Sequence, residues 1–257
     1  MTKFKARIHK SSVDSRIILA NDYDIRIGHF QQIGNKKLVL QTIKNIKTLH
    51  KDLCGIKLNF QLLLPLGKQE IRTINETAHE YGLQTIADIK LNDIVNTNLA
   101  TVSTLGDFGF DAVIVNPIMG PSNLKKIITS AHRCNMGVIT LCHMSAPEAK
   151  MSYEMNVKLS NSSKTVSLHQ LFLKWAISSK ADGIIVGATF PKIIKECKKT
   201  AGKKLDIYSP GIGTQGGKAK ETISNGSDFL IVGRTILGSK DPIGTAKKIQ
   251  LSLSRLM

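Results

Sequence analysis

Eight short apolar runs, spaced along almost the whole chain, limit what this sequence can fold into more than any other feature. They occupy residues 16–21, 54–60, 84–90, 112–116, 137–143, 183–187, 205–209 and 229–233. Most are rich in β-branched residues and nearly continuous in apolar character, as parallel strands covered on the outside should be. Between them lie segments whose apolar residues recur at steps of three and four, among them residues 38–49, 69–82, 123–132 and 168–178. The second of these ends on Gly82, a residue suited to closing a helix. Strands alternating with helices, without a Pro/Gly/Ser-rich linker, predict an α/β protein built as one (β/α)8 barrel over residues 1–257. A doubly wound sheet is the alternative, and eight units fit it less well. The first fifteen residues are expected to cover the closed bottom of the barrel.

A chain of 257 residues can bury a sizeable core in this form. No apolar run approaches the roughly 20 residues that span a bilayer, and the N-terminus lacks the apolar centre of a signal peptide. Cys54, Cys134, Cys142 and Cys197 are scattered, with no C-x-x-C pair and no metal-ligand spacing. They predict reduced, mostly buried thiols, a cytoplasmic location and no metal. The net charge of +17 would suit a nucleic-acid partner or an anionic substrate. The lysines are dispersed, however, and only 5% of residues are aromatic, too few to interleave as base-stacking platforms. No nucleic-acid or membrane partner is therefore expected.

In a barrel of this kind, functional groups gather at the C-terminal strand ends. Those ends supply Asp22, Lys57, Asp88 with Lys90, His143 to Ser145, Pro210 to Gly217, and Gly233 with Arg234. The densest group is Asp88-Ile-Lys90-Leu-Asn-Asp93, in which Asp88 and Lys90 point to one face of a strand. A structural ion pair would explain them, but charges clustered at a strand end more often mark a site. Lys57 lies inside an apolar run and, if it faces inward, needs a carboxylate such as Asp22 or Asp88. Residues 209–217 carry Gly211, Gly213 and Gly216, a weak dinucleotide fingerprint because it follows the seventh run and lacks the later acid. As a phosphate loop beside Arg234 it is well placed. His143 reads as a satisfied core histidine, since no acid lies beside it in sequence. The stretch after it, residues 144–163, is long enough to serve as a lid.

These residues resemble the orotidine 5′-monophosphate decarboxylase family. Asp88-x-Lys90-x-x-Asp93-Ile94-x-x-Thr97 is similar to the family's D-x-K-x-x-D-I-x-x-T signature. Leu19-Ala-Asn-Asp22, Gly55-Ile-Lys57, Met144-Ser145, residues 209–217 and Gly233-Arg234 resemble its other motifs, in order along nearly the whole chain. Asn21 and Val95 depart from it, where an apolar residue and a proline are usual. The resemblance implies conversion of orotidine 5′-monophosphate to uridine 5′-monophosphate, the last step of de novo pyrimidine synthesis, without a cofactor. It implies Lys57, Asp88, Lys90 and Asp93 as catalytic residues. Asp22, Lys57 and Thr97 would hold the ribose, Ser145 would read the base, and Ile94 would also bind the substrate. Pro210, Gly213, Gln215, Gly233 and Arg234 would hold the phosphate end. It further implies a homodimer in which Asp93 to Thr97 cross into the neighbour's site. Two other readings stand beside it. One is a metal-dependent sugar-phosphate enzyme like 3-hexulose-6-phosphate synthase, which carries a Glu where this chain has Lys57. The other is a basic nucleic-acid-binding protein.

Overall fold

The computed structural model describes residues 2–22, 34–159 and 164–254. Helix α1 (Lys3–Ser11) leads into strand β1 (Ile17–Ala20), followed by α2 (Asn35–Leu49), β2 (Gly55–Asn59), α3 (Phe60–Leu63) and α4 (Lys68–Glu80). Next come β3 (Gln84–Leu91), α5 (Val95–Asp107), β4 (Ala112–Val115), α6 (Pro121–Arg133) and β5 (Gly137–His143). An excursion of α7 (Ala149–Tyr153), β6 (Asn156–Lys158) and β7 (Thr165–Ser167) precedes α8 (Leu168–Ser179). The chain closes with β8 (Gly183–Val186), α9 (Pro191–Ala201), β9 (Asp206–Pro210), α10 (Ala219–Ser224), β10 (Phe229–Val232), α11 (Arg234–Leu237) and α12 (Pro242–Ser254).

Strands β1, β2, β3, β4, β5, β8, β9 and β10 form a closed barrel, and every neighbouring pair is parallel. These eight are the eight apolar runs. They are apolar on both faces because both faces are buried. Ile18, Ile86, Ile114, Ile139, Leu141, Ile185 and Ile231 fill the inside, while Ile17, Leu19, Ile56, Leu58, Val113 and Val138 pack outward under the helices. Gly82 adopts φ +76° after α4, the conformation a helix-closing glycine supplies without a Cβ clash.

Helix α1 lies across the N-terminal strand ends. Phe4 is buried, and a Cβ on Gly137 would stand 2.2 Å from its Cδ1, so the helix can seat only over a glycine there. Residues 144–163 are not a plain loop: they contain α7, and β6 pairs with β7 in an antiparallel ribbon. The tip of that ribbon, residues 160–163, lies outside the described residues. Among the described residues, no helix is long and apolar enough to cross a membrane.

Candidate active site

The site begins with two charged side chains that the pleat sends inward, Lys57 and Asp88. Lys57 on β2 lies beside Ala20 and Ile86 in the strand register, and it is only 5% exposed. An unpaired ammonium at that depth would be strongly unfavourable. Its Nζ donates to Asp88 Oδ2 at 2.8 Å and stands 3.6 Å from Asp22 Oδ1, an ion pair without a hydrogen bond. Asp88 Oδ1 then accepts from Lys90 Nζ at 2.9 Å. Asp88 therefore sits between two ammonium groups, and Lys57 between two carboxylates.

The electrostatics follow from that alternation. Burial pushes the Lys57 ammonium toward neutrality, but Asp88 and Asp22 together outweigh it and hold its pKa above the ordinary lysine value. Burial likewise works against an ionised Asp88. Lys57 and Lys90 outweigh it and hold its pKa below the ordinary carboxylate range. Both members stay charged at neutral pH.

Lys90 is aimed by the backbone. The β3–β4 register shifts between Ala87 and Leu91, and Lys90 takes φ +45°, a left-handed conformation rare for a side chain other than Gly, Asn or Asp. Such a residue costs about 1 kcal/mol or more, and it persists where the surroundings enforce it. Here the bulge turns the partly exposed Lys90 ammonium over Asp88, at the open end of the barrel.

Around this chain lies a cavity of about 230 Å³. Asp22, Lys57, Asp88 and Lys90 line one side. Met144 and Ser145 line the β5 side, and Pro210, Gln215, Gly233 and Arg234 the β9 and β10 side. Arg234 is exposed and, among the described residues, meets no carboxylate, so its guanidinium is free for an anion. Ser145 sits in a tight knot: a Cβ on Gly187 would come 2.6 Å from its Cα, and one on Gly211 3.0 Å from its Cβ.

Four of the residues singled out in the sequence behave differently. Gly213 does not line the cavity, and its N–H donates to Gly217 O at 2.8 Å, so that amide is spent inside the loop. Its glycine character serves close approach instead, since a Cβ would stand 2.4 Å from Thr235 Oγ1. Asp93, Ile94 and Thr97 are exposed and stand away from their own chain's cavity. The Asp93 carboxylate accepts from the Ile94 N–H at 2.6 Å, because the chain turns there into α5. The charged array within one chain is therefore Asp22, Lys57, Asp88 and Lys90.

Two residues escaped the sequence reading. Thr235 donates to Ile212 O at 2.8 Å and accepts the Thr214 N–H at 3.1 Å, which fastens the β9 loop to the β10 end. Its only signal was its place after Arg234. Glu154 faces the buried ring of His143 at 3.3 Å, so an acid does meet this histidine, from eleven residues downstream.

Comparisons with known proteins agree with this geometry. The sequence model of the Orotidine 5′-phosphate decarboxylase / HUMPS family matches residues 15–249. The chain is 32% identical over 209 residues to the orotidine 5′-phosphate decarboxylase of Methanosarcina mazei, covering 81% of this chain and 87% of that one. It is 32% identical over 194 residues to that of Pyrococcus abyssi, covering 76% and 84%. The crystal structure of orotidine 5′-monophosphate decarboxylase from Methanocaldococcus jannaschii complexed with the inhibitor BMP is similar in fold. It superposes with a TM-score of 0.74 at 26% identity, covering 93% of this chain and 98% of that one. A match of this extent, with an inward lysine–aspartate–lysine chain at the barrel mouth, shows that the chain belongs to the orotidine 5′-phosphate decarboxylase / HUMPS family.

Proposed function

We propose that this enzyme decarboxylates orotidine 5′-monophosphate to uridine 5′-monophosphate in pyrimidine biosynthesis, without a cofactor. The observation that carries this reading is the Lys57–Asp88–Lys90 chain. Loss of CO₂ leaves an electron pair on a pyrimidine carbon. A positive charge fixed beforehand beside that carbon stabilises it at no reorganisation cost. Lys90 supplies that charge and then transfers a proton to the carbon, regaining one from solvent. Asp88, anchored by Lys57, lies beside the substrate carboxylate and disfavours its bound form more than the transition state, in which that charge is leaving. Asp22 and Lys57 hold ribose hydroxyls, Ser145 reads the base, and Gln215 and Arg234 grip the phosphate. Phosphate binding far from the reacting carbon adds energy that the transition state can use.

The family's other branch is less well served by these residues. Lys57 places a buried ammonium between Asp22 and Asp88, where it competes with any metal ion for the same carboxylates. The deciding experiment follows the absorbance of orotidine 5′-monophosphate with and without chelator. Turnover should be unchanged by chelation. Loss in chelator with recovery on adding magnesium would overturn the reading.

We further read the enzyme as a cytoplasmic homodimer with shared sites. The exposed Phe60, Leu64, Ile94 and Ile118 support this, since they follow the adjacent strands β2, β3 and β4 on one side of the mouth. The four free cysteines suit a reducing compartment.

A further inference from the structure

His143 ends strand β5, one residue before Met144 and two before Ser145, which line the cavity. Its ring is completely buried. Both ring nitrogens face acceptors: Nδ1 stands 2.9 Å from the Met144 carbonyl, and Nε2 stands 3.3 Å from Glu154 Oε1. A neutral imidazole has one N–H and one lone pair. In either tautomer, one of these contacts sets a lone pair against an oxygen. Only the imidazolium donates to both.

The two acceptors belong to different parts of the site. Met144 belongs to the cavity wall, and its carbonyl lies next to the Ser145 amide. Glu154 follows α7, the short helix of the excursion between β5 and α8. The ring therefore bridges the wall that meets the base and the segment beyond it. Phe190, from the turn before α9, packs on the ring at 4.3 Å. Tyr153 of α7 lies at 5.5 Å and His169 of α8 at 5.8 Å. Among the described residues, Tyr153, His169 and Glu154 are the titratable groups that face it. His169 is itself bound to the Tyr153 carbonyl at 3.1 Å and stands 3.5 Å from Glu196.

We propose that His143 is a positioning residue for the base end of the cavity. A proton on its ring ties the β5 end to the Glu154 turn, and loss of that proton frees one of the two contacts. Burial favours the neutral ring, while the Met144 carbonyl and Glu154 favour the charged one; the balance falls below the ordinary histidine value. The tie is thus made on the acid side of the ordinary histidine value and weakened as pH rises. The expected consequence is weaker binding of the nucleotide with kcat preserved, because Ser145 contacts the base and not the departing carboxylate. This inference rests on the decarboxylase reading for its substrate, but not for the titration of the ring.

The test uses Glu154→Gln. A carboxamide can donate to the bare Nε2 of a neutral ring, so the variant satisfies both ring nitrogens without a proton. In wild type, KM for orotidine 5′-monophosphate should rise by about three- to tenfold as pH is raised through the ring's own titration, located by NMR, the effect of losing one charge-assisted hydrogen bond. In Glu154→Gln it should stay near its acid value. The substrate phosphate, with a second pKa of about 6, titrates alike in both proteins, so the comparison between them is the readout. Identical KM profiles would overturn the proposal, as would a change confined to kcat. The His143 ring proton, followed by NMR and identified by its loss in His143→Gln, should titrate at lower pH in Glu154→Gln than in wild type. An unchanged titration would also overturn it. If wild type turns over no substrate at any pH, the decarboxylase reading fails, and the ring titration alone decides the tie.

Discussion

At the scale of single residues, the proposed roles separate groups that bind from groups that act only as the bond breaks. Lys90 is held 2.9 Å from Asp88 and is assigned to charge absent from the ground state. Lys90→Ala should therefore lower kcat by roughly 10³-fold or more, while uridine 5′-monophosphate still binds within a few-fold of wild type by calorimetry. Near-normal kcat would remove Lys90 from the proton-donor role. Arg234 is assigned to a remote phosphate, so its loss should cost about 3 kcal/mol in kcat/KM, or roughly a hundredfold, if the contact is bidentate. The same variant should lose far less on the nucleoside lacking phosphate; equal losses on both substrates would contradict the assignment. Much of this site was legible beforehand. A two-residue spacing on an apolar strand puts Asp88 and Lys90 on one face, and an inward Lys57 needs an acid. The left-handed turn at Lys90 was not legible, because no glycine or asparagine marks it. Nor was Glu154 opposite His143, because the meeting depends on how the α7 excursion folds back.

At the scale of elements, the strands were readable and the pins beneath them were not. Four aspartates at the starts of β4, β8, β9 and β10 each take a basic partner brought by a helix. His79 of α4 meets Asp111 at 2.7 Å, and His132 of α6 meets Asp182 at 2.8 Å. His9 of α1 meets Asp206 at 2.9 Å, and Lys198 of α9 meets Asp228 at 2.8 Å. Three of these carboxylates also accept a strand amide at 2.8 Å, from Thr85, Val138 and Ile207. The partners lie too far apart in sequence for any local pattern to announce them. The Asp111 pin has a clear pH signature. Its hydrogen bond to Asp111 raises the His79 pKa, despite the opposing effect of burial. Burial works against an ionised Asp111, but His79 with Thr85 and Arg7 prevails and lowers its pKa. A histidine raised in the folded state stabilises fully below its unfolded pKa, and that contribution is lost as pH rises through the folded one. An aspartate lowered in the folded state stabilises above its unfolded value and loses this as pH falls. The window therefore runs from the ordinary aspartate range up to the ordinary histidine range, fading above it. His79→Ala should lower thermal stability at pH 6 by the equivalent of about 1 kcal/mol or less, since the ring is partly exposed. The deficit should shrink at pH 9. A deficit equal at both pH values would show that His79 acts by packing alone.

At the scale of the whole molecule, the question is where Asp93 and Thr97 do their work. Both belong to the family signature, yet both are exposed and stand away from the cavity of their own chain. The turn is held in its outward course: Ile94 precedes α5, and the Asp93 N–H donates to Asn98 Oδ1 at 3.0 Å. In the proposed two-fold dimer, both loops would exchange at once, and each site would receive Asp93 and Thr97 from its neighbour. The shared-site reading makes a quantitative prediction. Lys90→Ala and Asp93→Ala homodimers should both be nearly inactive. A heterodimer of the two gathers both lesions into one site and leaves the other intact. Random exchange makes half of the dimers mixed, each with one working site of two, so roughly a quarter of wild-type activity per chain should return. The measurement needs exchange shown independently, for example by mass spectrometry of differently tagged chains. If exchange occurs and activity does not return, Asp93 acts within its own chain. The loop would then have to move inward on binding substrate, and the dimer would have no part in the chemistry.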